Sequence, residues 1–213
     1  MQLPLLTFLS KILKDNKTEE LIKSCSKALF FNKGKLNAST QEIADNAGVK
    51  RTLVNYYFGS KQKLFDLVFE ELRFTFKTLL HTAVSGTSSV YDKVAVLIQH
   101  CSDFIKEYPY FNIFMINEIN TVGANKTERM KKYHFPELDT FFREIEQEMK
   151  EGKIPEMNPL NFYINIFALL SYPIIMRPYY EQIFDVPQKE MDELYTSRKE
   201  VILKLIFQHT QQQ

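Results

Sequence analysis

An all-α fold is predicted by three observations. Apolar residues recur at the helical period in every segment whose pattern is clear. The 213 residues include only 6 Gly and 8 Pro, too few for a chain of short strands joined by many tight turns. The stretch Thr40–Lys63, TQEIADNAGVKRTLVNYYFGSKQK, reads as a short helix, a tight turn at Gly48, a second short helix and a basic cluster, the layout of a helix-turn-helix. Hydrophobic residues make up 45% of the chain, and 18 Phe with 11 Tyr can fill a sizeable core, which excludes disorder as a general description. The expected organisation is an N-terminal extension and three-helix helix-turn-helix domain over 1–60. A connecting helix and a larger helical domain follow over 61–213.

The elements follow in order. Thr18 is expected to cap a helix running to about Phe31, with Leu21, Ile22, Cys25, Ala28 and Leu29 on its apolar face and Gly34 as stop signal. Ser39 and Glu42 have the spacing of a capping box for the next helix. That helix is short because Gly48 follows and supplies a backbone conformation that a bulky residue resists. Its residues Ile43, Ala44 and Ala47 face the core. A second short helix spans about Arg51 to Tyr57, anchored by Val49, Val54 and Phe58. Gly59-Ser60 breaks it, and Ser60 caps a long helix from Lys61 to about Leu80, lined inside by Leu64, Leu67, Val68 and Leu72. Gly86 to Ser89 reads as a loop. Further helices are expected at about 90–107, 109–121, 127–150, 158–180 and 188–209. Pro109 fits a helix start, Gly123 and Gly152 fit helix ends, and Pro173 is expected to kink or divide the penultimate helix.

Charge is distributed unevenly. Residues 1–63 carry 11 Lys or Arg against 5 Asp or Glu, a net +6, and the overall +1 leaves −5 for residues 64–213. The positive charge therefore sits with the helix-turn-helix, where attraction to phosphate would use it. Cys25 and Cys101, both in apolar helical patterns, are expected to be buried thiols of a reducing compartment. The N-terminus lacks the pattern of a secretory signal, and no uncharged apolar run reaches the roughly 18 residues that span a bilayer, so a cytoplasmic protein with no membrane partner is expected. His81, His100, His134 and His209 are dispersed, and no phosphate loop, nucleophile elbow or zinc motif occurs. No catalysis, metal or cofactor is expected.

A recognition helix must be short, project from a small core and offer polar groups to the major groove. Arg51, Thr52, Asn55 and Tyr56 fit the exposed side of such a helix. Arg51 can pair with guanine or clamp a phosphate, and Asn55 can pair with adenine. Lys50 adds a neighbouring positive charge, although Lys50 and Arg51 also fit ordinary solvated charges. Thr40 and Gln41 stand at the preceding helix's start, where free backbone N–H groups meet phosphate. Lys61 and Lys63 can hold the DNA backbone on the other side. Tyr57 can turn its ring inward and place its hydroxyl on a phosphate.

Residues about 17–65 resemble the DNA-binding domain of the TetR family of bacterial transcriptional regulators. The resemblance rests on the ordered set Ile43-Ala44, Ala47-Gly48-Val49, Tyr57-Phe58, Ser60-Lys61 and Leu64-Phe65 after an apolar first helix. It implies a homodimer that binds a partly palindromic double-stranded operator, usually as a repressor. It also implies that Arg51, Thr52 and Leu53 lie nearest base edges, that Thr40 and Gln41 contact DNA from the second helix, and that Tyr57 and Lys61 contact phosphate. The sequence departs from the family at Lys50, where a capping residue is common. It departs again at Arg51-Thr52-Leu53, which replaces a common Lys-Gly-Thr run, and at Asn55, where Tyr is frequent.

The segment Asn161–Tyr180 is apolar on nearly all sides and is expected to be buried on more than one. The last helix carries a narrower stripe. The resemblance implies that these two helices form the dimer, with Phe162, Ile166, Leu170, Ile174 and Arg177 from the first and Leu194, Val201, Ile202 and Leu205 from the second. The alternatives are packing within one chain and, for Arg177, pairing with a carboxylate. A small-molecule pocket is implied by the family alone. Phe104, Phe111, Phe114, Met115, Phe141, Phe142, Phe167, Tyr172 and Met176 are its expected lining, suited to an apolar or aromatic effector, although such residues also fill cores. The leading expectation is thus a dimeric repressor released by such an effector. A DNA-binding regulator without one, and a helical protein-interaction module, are the competing readings.

Overall fold

The computed structural model describes residues 3–35, 37–86, 88–121 and 134–207, with the side chains of all of these except 3–14 and 119–121. It is all-helical: an N-terminal helical bundle is continued by a long helix into a larger helical domain. Two compact units divide after Phe74, inside that long helix.

The first unit contains α1 (Leu3–Lys27), a π-helical turn (Ala28–Asn32), α2 (Thr40–Ala47), α3 (Arg51–Phe58) and the first half of α4 (Lys61–Val84). The expected start of α1 at Thr18 is corrected, because the helix is already formed at Leu3. No residue between Pro4 and Thr18 breaks a helix, and Pro4 falls in the first turn, where its missing N–H is harmless. The π turn closes with Lys33 N–H donating to Ala28 O at 3.0 Å. One extra residue in this turn lets the neighbours Phe30 and Phe31 both point inward, and both are fully buried. Their rings meet Phe65 at 5.2 and 5.6 Å, and Phe31 stacks on Phe69 at 5.8 Å. Two expected core positions are exposed instead. Leu21 and Leu67 lie on the outer sides of their helices, and Phe69 takes the place given to Leu67.

The second unit contains the remainder of α4, α5 (Val90–Glu107), α6 (Phe111–Thr121), α7 (Pro136–Lys150), α8 (Pro159–Ile175), α9 (Arg177–Ile183) and α10 (Gln188–Phe207). Residues 127–133 of the expected 127–150 helix, together with Gly123, lie outside the described residues. The described part starts at Pro136, since Phe135 before it is extended, as the steric demand of a following proline requires. Lys93, almost fully buried on α5, pairs with Glu144 of α7 at 2.5 Å, and Val90 N–H donates to Glu148 Oε1 at 2.9 Å. These contacts join α7 to the start of α5.

The expected 158–180 helix is divided, but not at Pro173. The helix continues through Pro173 to Ile175, and α9 leaves at a bend of 56° after Met176. The break belongs to Pro178, which lacks an N–H and restrains Arg177 before it. Pro173 still frees a carbonyl one turn back, at Leu169. Arg198 Nε on α10 donates to Leu169 O at 3.0 Å, and Tyr195 O–H donates to Pro173 O at 2.6 Å. Two side chains of α10 thus satisfy the backbone groups that the proline and the break expose. Among the described residues, no single helix is long and apolar enough to cross a membrane.

Candidate nucleic-acid interface

The helix-turn-helix is built by local chemistry at both helix ends. Glu42 N–H donates to Ser39 Oγ at 3.2 Å and Ser39 N–H to the Glu42 carboxylate at 2.7 Å, the reciprocal capping box that the sequence predicts. These bonds hold the Glu42 carboxyl below its ordinary range. The first backbone bond of α2 is Ile43 N–H to Ser39 O at 3.1 Å, so the Thr40 and Gln41 amides precede it at the positive end of the helix. Gly48 closes α2 with φ +63°, and Val49 N–H returns to Ala44 O at 3.0 Å. A left-handed residue there reverses the chain within two residues, and α3 begins at Arg51.

Val54 and Phe58 are buried and anchor α3, and Leu53 is half-buried beside them. Lys50, Arg51, Thr52, Asn55 and Tyr56 are exposed, Tyr56 by 76%. Gln41 is exposed on α2, and Thr40 and Lys61 are half-exposed. The structure therefore brings Thr40, Gln41 and the α3 set onto the outside of one small helical unit. Lys50 stands at the N-cap of α3 with extended backbone and no side-chain cap bond, as expected for a residue without a short acceptor. Tyr57 is half-buried. Its hydroxyl donates to Asp15 Oδ1 at 3.2 Å, and the Thr18 side chain hydrogen-bonds to it as well. Asp15 carries no role expected from sequence, and Thr18 is expected only as a cap. Their i, i+3 spacing on a longer α1 was the available signal.

The expected interface and pocket residues of the second unit separate by burial. Phe162, Ile166, Leu170 and Ile202 are buried within the chain, so their assignment to a dimer contact is corrected: α8 turns this face onto its own unit. Ile174 is half-buried, whereas Leu194, Val201 and Leu205 are exposed, with Leu160 and Ile164 also exposed on α8. Arg177 pairs within the chain, at 2.7 Å from both Glu181 and Asp192, and lies over the Tyr195 ring at 5.5 Å. Of the expected pocket residues, Phe167 and Tyr172 line an apolar groove of about 780 Å³ bounded by α8, α9 and α10, where Leu194, Val201 and Arg198 join them. Phe104 and Phe111 are buried with ring centroids 5.0 Å apart, and Phe76 packs on both. Phe114 and Phe141 are buried too, and Met115, Phe142 and Met176 are half-buried. Among the described residues, no three His, Cys, Asp or Glu side chains gather as a metal site.

A capped helix-turn-helix continued by a long helix into a larger helical domain defines a class of two-part helical proteins. Residues 24–68 match the family model of bacterial regulatory proteins of the tetR family. The chain is 24% identical over 168 residues to the probable HTH-type transcriptional regulator YttP of Bacillus subtilis, spanning 78% of this chain and 81% of that protein. It is 19% identical over 143 residues to the nucleoid occlusion factor SlmA of Serratia proteamaculans, spanning 66% and 72%. Among solved structures, AibR in complex with isovaleryl coenzyme A and operator DNA superposes with a TM-score of 0.62 at 13% identity, over 89% of this chain and 98% of that one. A TetR-family transcriptional regulator from Haemophilus influenzae superposes with a TM-score of 0.53 at 16% identity, over 87% and 96%. In the sequence of its reading head and in its fold, this protein matches the TetR family of bacterial transcriptional regulators.

Proposed function

We propose that this protein is a dimeric, sequence-specific DNA-binding transcriptional regulator, acting as a repressor that a small apolar or aromatic effector releases. The observation that carries this reading is the outer side of α3. Arg51, Thr52, Asn55 and Tyr56 stand exposed on a helix whose opposite side is fixed by buried Val54 and Phe58. The net +6 of residues 1–63 supplies the phosphate attraction such a head needs. In this reading Arg51 and Asn55 read base edges, and Lys50 and Lys61 hold phosphates. The Thr40 and Gln41 amides meet phosphate at the start of α2. The functional boundary is placed near residue 60, so that α4 belongs with the part that moves the head.

A second copy is proposed to cover the exposed apolar face of α8 and α10. A symmetric reader is what a partly palindromic operator requires, with half-sites about 34–36 Å or a multiple apart. The fold-related AibR was solved with both a coenzyme A thioester and operator DNA, which supports joint ligand and operator binding in this architecture. The tight ring packing of Phe76, Phe104 and Phe111 favours a second reading, a regulator whose second unit carries no effector in that region.

Fluorescence anisotropy of labelled duplexes, titrated with full-length protein across a salt series, tests the reading. Binding should weaken steeply with salt and drop about 10-fold or more for Arg51→Ala at unchanged melting temperature. Absence of binding at low salt sinks it. A thermal-shift screen of apolar and aromatic compounds, followed by DNA release, separates the two readings of the second unit.

A further inference from the structure

We propose that Asp15 sets the DNA affinity of the reading head by holding the hydroxyl proton of Tyr57, which a backbone phosphate would otherwise take. This rests on the DNA-binding reading given above and adds a residue that opposes it. Tyr57 closes the last turn of α3 beside the exposed Tyr56, whose ring meets its own edge-on at 5.1 Å. Its hydroxyl is the one polar group it can offer to DNA. A phenol has a single proton to donate, and a phosphate oxygen can only accept. That proton is given to Asp15 Oδ1 at 3.2 Å, while Thr18, one turn further along α1, engages the same hydroxyl.

The arrangement is not a chance encounter of two loose side chains. Asp15 and Thr18 lie on an uninterrupted helix and are both half-buried, as is Tyr57. The helix therefore carries the carboxylate to the end of α3 where the hydroxyl lies. It is also one of only 5 acids among the first 63 residues, in the half of the chain that carries a net +6. A phosphate that recruits Tyr57 must displace the carboxylate from the hydroxyl and then tolerate a second anion close by. Asp15 thus acts twice against DNA, through competition for the proton and through repulsion, and only the first effect passes through Tyr57. Its competing role in DNA binding passes through the Tyr57 hydroxyl that it holds.

A double-mutant cycle separates the two effects. Affinity for one labelled duplex is measured by anisotropy for the unaltered protein, D15A, Y57F and D15A/Y57F, with melting curves as a control for folding. D15A should tighten binding about 3- to 10-fold in the presence of Tyr57 and distinctly less in the Y57F background. D15N, which keeps an acceptor for the hydroxyl but removes the charge, should tighten binding by a smaller factor, and this part should fade as salt rises. Unchanged or weaker binding by D15A overturns the proposal. So does equal tightening with and without the Tyr57 hydroxyl, which would reduce Asp15 to a general repelling charge. Failure of all four proteins to bind any duplex refutes the DNA-binding reading itself, whereas binding with unaltered affinities refutes only the role of Asp15.

Discussion

Lys50 sits where two demands meet. It begins the exposed side of α3, and it occupies an N-cap position without being able to cap. Replacing it by Ser should stabilise the fold by ~0.5–1 kcal/mol, because a short hydroxyl accepts from a free amide of the first turn. The same change should weaken DNA binding by removing a phosphate partner, and its salt slope should fall by about one unit. Denaturation and anisotropy on the same sample check both signs. The two cysteines offer a second test. Cys101 is fully buried, and burial pushes its thiol up to about 12. Cys25 is only half-buried, with Sγ 3.5 Å from Asn46 O, so the expectation of two buried thiols holds for Cys101 alone. Iodoacetamide in the folded state should label Cys25 first, read by mass spectrometry. Because the Cys101 thiol titrates higher folded than unfolded, its linkage leaves stability intact below the unfolded value of about 8.5 and erodes it as pH rises from there toward 12. The Glu42 carboxyl, held low by its bonds to Ser39, has the opposite sign: its contribution is present above the ordinary carboxylate range and is lost as pH falls through the folded value.

Elements whose causes are local were legible in the sequence. Ser39 and Glu42 are three residues apart, and a capping box needs nothing further. Gly48 turns the chain through its own left-handed φ of +63°. Ser39→Ala should therefore cost about 1 kcal/mol. Gly48→Ala should cost ~1–2 kcal/mol through backbone strain, since an added Cβ meets nothing within 4 Å. Elements decided by distant partners were not legible. The apolar stripe of α8 could not say which of its sides meets its own chain. Packing put Phe162, Ile166 and Leu170 inside and left Ile164 outside. The helix passes Pro173 and breaks only at Pro178, and at Pro173 the carbonyls of Leu169 and Pro173 are satisfied by Arg198 and Tyr195 of α10, contacts across 22 to 29 residues of sequence. Arg198→Gln should cost about 1–3 kcal/mol by leaving Leu169 O without its donor, measured by chemical denaturation. The length of α1 is hidden for a local reason. Thr18 reads locally as a cap, and only the contact with Tyr57 shows the helix in use on both sides of it.

At the scale of the whole molecule, the charge partition and the exposed apolar face divide the work. The basic first 63 residues suit a polyanion, and the face carrying Leu160, Ile164, Leu194, Val201 and Leu205 suits a second copy. Leu205→Glu, at a position 57% exposed, should split the dimer in sedimentation while leaving the melting curve of the monomer close to unchanged. Ile166→Glu, at a fully buried position on the same helix pair, should instead unfold the chain. Loss of the dimer should also cost most of the affinity for a two-half-site operator, because each head alone binds one half. The central claim, that α3 reads DNA sequence, is tested most directly by selecting duplexes from a random library with the full-length protein and sequencing those retained. The account predicts a single enriched, partly palindromic motif that Arg51→Ala abolishes; retention of duplexes with no motif above background, or a motif unaltered by Arg51→Ala, would contradict it.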